Sequence, residues 1–114
     1  MTTTRQLDEL LAAAGEAGRT LPPAAETAEV HRRLVAEIRL RLPGAERAAA
    51  AAAVRSRDWY RHLQVVDDAR AALEAKGEEP DLRVGPMAAA LRVGELARHL
   101  RALSVYPAEG EVGV

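Results

Sequence analysis

Apolar side chains recur along this chain at intervals of three and four, the helical period, and nowhere at the interval of two that marks a half-buried strand. Leu7, Leu10, Leu11 and Ala14 form the first such stripe, and Thr3 followed by Gln6 three residues later has the form of a capping box ahead of it. Gly15 and Gly18 predict an early stop, and a helix that short must dock on something larger to persist. Pro22-Pro23 punctuates the chain, and a second helix is expected from about residue 24, with Glu26 and Glu29 near its positive end. Its stripe is Val30, Leu34, Ile38 and Leu42, flanked by His31 and Val35, with Arg32, Arg33, Glu37, Arg39 and Arg41 over the other faces. Pro43 removes a hydrogen bond and clashes with the preceding turn, but the Ala-rich run beyond it is a strong helix former, so the reading is a kinked helix to about Val54.

Ser56 suits the N-cap of a third helix carrying Trp59, Leu63, Val66, Ala69 and Leu73, with Gly77 as its stop. The polar connection to Gly85 contains Pro80, and Leu82 and Val84 are expected to fold back over the end of the bundle. Pro86 opens a fourth helix with the most regular seam in the chain: Ala89, Val93, Leu96, Leu100 and Leu103. The pattern then ceases, and Pro107, Gly110 and Gly113 describe a tail. The predicted architecture is all-α: an antiparallel bundle of three long helices with a short N-terminal helix across it, one domain over 1–106 and a flexible tail over 107–114.

Composition narrows what such a bundle can do. The chain has 114 residues, enough for one modest core. Of its 48% hydrophobic residues 25 are Ala, with one Ile and no Phe, so the core must come from Leu, Val and close helix approach. A core this small and Ala-rich leaves the bundle marginal alone, and the Leu7, Leu10, Leu11 stripe invites a homodimer. With 16 basic and 17 acidic residues the chain lacks the basic excess that phosphate neutralisation requires, which disfavours nucleic acid. The longest apolar run, Ala48 to Val54, is far below the roughly 20 residues of a membrane span, so a cytoplasmic protein with no membrane partner is expected. There is no Cys, which removes disulfides, thiolate metal sites and a Cys nucleophile.

Candidate chemistry gathers round the only Trp. Asp58 stands four residues before His62, and Glu95 four before His99, so each carboxylate shares a helix face with an imidazole. Counted from the connection between helices three and four, both His lie about 20 Å along their helices, which would set them level in an antiparallel pair. The candidate pocket is therefore Asp58, Trp59, His62, Glu95 and His99, with Tyr60 or Tyr106 near its rim. The bland reading is two ordinary surface pairs and a core Trp. No metal and no cofactor are assigned, because bundle metal sites use Glu-x-x-His pairs with further Glu ligands, and no Gly-rich phosphate loop follows a strand.

The run from Ser56 to His62 (Ser-Arg-Asp-Trp-Tyr-Arg-His), continuing through Val65-Val66-Asp67-Asp68-Ala69-Arg70, together with the segment from Val93 to Leu103, resembles a group of small actinobacterial proteins, mostly from Streptomyces. That group is a family of unknown function often labelled as natural product biosynthesis protein, and the resemblance covers roughly residues 28–106. It implies a context and no catalytic residues. The functional expectation is a small non-catalytic binding or accessory protein with a protein partner. The alternative is a small-ligand-binding protein or enzyme using Trp59, His62 and His99.

Overall fold

The computed structural model describes residues 2–76 and 79–109, and among these it has four helices and no strand. The helices are α1 (Thr4–Thr20), α2 (Ala24–Ala51), α3 (Arg57–Lys76) and α4 (Pro86–Leu103). The central pair is α2 and α4, with α1 and α3 each packed on both members and not on one another. The 28 residues of α2 rise about 42 Å at 1.5 Å each, so this helix sets the longest dimension of the fold, 45 Å.

The capping box forms as the sequence predicts: the Gln6 N–H donates to Thr3 Oγ1 at 3.1 Å, and the Thr3 N–H donates to Gln6 Oε1 at 2.8 Å. The first helix is not short. It runs on through Gly15 and Gly18 for 17 residues, against 18 for α4. Two mid-helix glycines cost about 1 kcal/mol each relative to Ala. They are carried because the last turn is tied by the Arg19–Glu16 ion pair, by the Thr20 hydroxyl on Glu16 O, and by burial of Ala17. The stop comes at Leu21, which adopts the left-handed conformation (φ 48°) and donates its N–H to Ala17 O. Pro22 follows at once and disfavours a right-handed helical residue before it.

On α2 the buried positions are Ala24, Ala28, Leu34, Val35, Ile38, Ala45 and Ala49, joined by Thr27, His31, Glu37, Arg41 and Gly44, with Val30 and Leu42 only half-buried. The stripe thus lies slightly to one side of the expected one and takes in Arg41 where the pattern chose Leu42. The helix passes Pro43 and ends at Ala51, three residues before the expected limit. Pro43 has no N–H to offer the carbonyl of Arg39 one turn below, and at the neighbouring residue Leu40 O accepts the Glu109 N–H at 2.6 Å from outside the helix.

Ser56 caps α3 through the Trp59 N–H at 3.1 Å. Val66, Ala69 and Ala72 are its buried residues, and Trp59 is half-buried at the end of the helix instead of filling the core. The stop expected at Gly77 lies outside the described residues. In the following connection Val84 folds back, lining a small cavity with Thr27, His31 and Val93, whereas Leu82 is exposed. All five predicted seam positions of α4 are buried, with Leu96, Leu100 and Leu103 fully so. No helix among the described residues is long and apolar enough to cross a membrane.

Candidate functional site

The five predicted site residues go to different places. Asp58 forms an exposed ion pair with Arg61 at 3.0 Å. Trp59 packs edge-on against Tyr60, with ring centroids 4.9 Å apart, and its other side lines a groove of about 270 Å³ between α2 and α3. Ala49, Ala50, Leu63 and Val66 complete that wall, and its rim carries Asp67 and the Glu46–Arg70 ion pair (2.8 Å). Neither histidine lines it.

His62 turns to the C-terminal segment. Its Nδ1 is hydrogen-bonded to the Tyr106 hydroxyl at 2.6 Å, the hydroxyl donating when the ring is neutral and protonated at Nε2, and the two rings stack edge-on at 5.6 Å. His99 is near enough to Asp68, six residues beyond His62 on α3 or about 9 Å of helix rise, to feel its charge, as it feels that of Glu95. Burial holds the His99 pKa below its usual value, and Arg98 adds to the lowering, while Asp68 and Glu95 oppose it. Of the two predicted carboxylate–imidazole couples, then, Glu95 does act on His99, while Asp58 has Arg61 as its ion-pair partner. Glu95 also lines the groove between α1 and α4, on the rim of a different concavity from Trp59.

Sequence reasoning missed a buried polar clasp. Glu37 and Arg41, one turn apart on α2, are both buried. Glu37 Oε1 accepts from the Thr2 hydroxyl, and Arg41 Nη1 donates to Tyr106 O at 2.8 Å. Their remaining atoms, Glu37 Oε2 and Arg41 Nε, face each other at 3.8 Å as an ion pair without a hydrogen bond. Both ends of the described chain are therefore fastened to one face of α2. Residues 106–109 form a strap over Pro43-Gly44, with Tyr106 and Ala108 buried, and a Cβ on Gly44 would lie 2.9 Å from Pro107 O. The part of the expected tail over 107–109 thus packs on α2, and 110–114 lie outside the described residues. One signal was available: Arg41 stands three residues after Ile38 and four before Ala45, in step with the buried stripe.

A second groove, mainly apolar and of about 330 Å³, lies between α1 and α4. Ala14, Gly15, Gly18 and Gly94 form its floor and walls, and Leu21, Met87 and Leu91 stand beside it, exposed at 37%, 59% and 62%. A Cβ at Gly18 or Gly94 would meet nothing within 4 Å, so internal packing does not require either glycine.

Fold and surface together define a small all-helical protein with one buried ion pair among the described residues, Glu37–Arg41, and an apolar groove open between α1 and α4. The chain belongs to a family of unknown function, DUF6415, whose model matches residues 2–110 and so takes in α1 and the strap as well as the region singled out from sequence. Comparisons with curated proteins and with solved structures found no match.

Proposed function

We propose that this is a non-catalytic binding protein that acts through the α1/α4 face, as an accessory in bacterial natural-product biosynthesis. The observation that carries the binding role is the exposure of Leu21, Met87 and Leu91 around an apolar groove, on a chain whose other large aliphatic residues mostly went inside. The biosynthetic context rests on the resemblance of residues 56–70 and 93–103 alone. Against a catalytic role, His62 is held by Tyr106, and Asp58 by Arg61 at the surface. The groove beside Trp59 favours the alternative of a small-ligand site, but one without His62 or His99. A photo-crosslinking amino acid at position 91, irradiated in cells, tests the binding role. Adducts are expected there and not at exposed Tyr60, and their absence at position 91 would refute it.

A further inference from the structure

We infer that the groove between α2 and α3 takes a small primary amine with an apolar body, the body lying along Trp59 and Leu63 and the ammonium beside Asp67. This deepens the small-ligand reading of that groove and is separate from the α1/α4 face, so its failure leaves the role proposed for that face untouched.

Trp59, Leu63 and Asp67 stand four residues apart on α3 and all line the groove, in the order aromatic, aliphatic, acidic. Eight residues of helix rise about 12 Å, so the apolar end and the carboxylate are one small molecule's length apart. On the facing wall, Ala49 and Ala50 leave open the space that larger side chains would close. The Glu46–Arg70 ion pair then bridges the two helices at the end towards Asp67. The result is a cleft with an apolar end and a charged end. Its volume of about 270 Å³ is just below the roughly 300–1,000 Å³ of sites for drug-sized ligands, which limits the occupant to something smaller. Trp59 stays half-buried here, with Tyr60 packed against it at 4.9 Å.

Charge decides the sign of that occupant. The lining holds two carboxylates, Glu46 and Asp67, and one guanidinium, Arg70. Arg70 comes only three residues after Asp67 but reaches across to Glu46 at 2.8 Å. Asp67 has no hydrogen bond or ion pair among the described residues. Arg47 and Arg55, the other guanidinium groups close by in sequence, do not line the groove. One negative charge is therefore in excess at the polar end, where an ammonium is complementary and an anion is repelled. Because Asp67 is exposed, the charge adds selectivity more than strength, and binding is weak.

Titration of the protein with phenylbutylamine, followed through the fluorescence of Trp59, the only indole in the chain, tests this. A saturating change with Kd about 10⁻³ M is expected. Phenylbutanol, the same body without the charge, should bind about fivefold more weakly, and phenylbutyrate should not bind. Amide shifts should move over 46–50 and 59–67 and not at Leu91. Asp67→Asn should erase the amine's advantage while leaving the affinity for the alcohol unchanged, a split that a merely structural residue would not give. Ala50→Leu, also at an exposed position, should fill the groove and remove both. An amine bound no more tightly than the alcohol, an advantage that survives Asp67→Asn, shifts centred on Leu91, or no saturable change with the amine overturns the inference.

Discussion

Gly44 offers the sharpest test of how the fold is closed. It sits one residue after Pro43 in α2, where the strap crosses so closely that an added Cβ would lie 2.9 Å from Pro107 O and 3.4 Å from both Pro107 Cδ and Tyr106 Cβ. Gly44→Ala gains helix propensity of about 1 kcal/mol, as any exposed mid-helix glycine would, but it meets backbone that cannot rotate away. Gly94→Ala gains the same propensity and meets nothing. Comparing the two cancels the propensity and leaves the clash, which by analogy with overpacking costs about 1–3 kcal/mol. The strap cannot retreat freely, because Tyr106 O accepts from buried Arg41 and the Glu109 N–H donates to Leu40 O. For a domain of this size the Gly44→Ala variant should melt about 4–12 °C below the Gly94→Ala variant in dilute solution, followed by circular dichroism. Amide exchange should show the Glu109 N–H losing protection in the first variant only. Equal melting temperatures, or a higher one for Gly44→Ala, would mean that the strap does not press on α2 as described.

Leu96 is fully buried in the α4 seam, so Leu96→Ala should cost about 2–5 kcal/mol in urea unfolding, and an unchanged midpoint would place it on the wrong face. Arg41→Met leaves Glu37 buried without its ion-pair partner and should cost about 3 kcal/mol, much of which Glu37→Leu in the same chain should restore; a second substitution that adds further loss would show that the pair does not act as a unit. Because the folded His99 pKa is depressed, the unfolded chain binds the proton more readily. That contribution to stability is intact above the unfolded value of about 6.5 and is lost as pH falls from there through the folded value. NMR titration should find His99 titrating below about 6.5, and His99→Gln should remove its share of the acid slope; a normal or raised His99 pKa would contradict the burial described.

Much of the architecture was legible in the sequence because local rules and the buried face agreed. The Thr3–Gln6 box, the Ser56 cap, the start at Pro86 and the α4 seam each depend on residues within a turn or two, where hydrogen-bonding geometry and helical period are sufficient. The misreadings share a cause, that a local penalty was outweighed by something distant. Gly15 and Gly18 should have ended α1, but docking on α4 and the tie of the last turn carried the helix past both. Leu42 fitted the apolar stripe, yet position 41 went inside, because an arginine can be buried where Glu37 and a backbone carbonyl 65 residues away receive it. Counting from the helix connection set His62 and His99 level. What counting could not supply was the partner of His62, Tyr106, which comes from a strap lying beyond every periodic segment. Periodicity reports which face of a helix is apolar. Which polar group is buried, and which glycine is a crossing point, depends on chain segments brought together only by the tertiary fold.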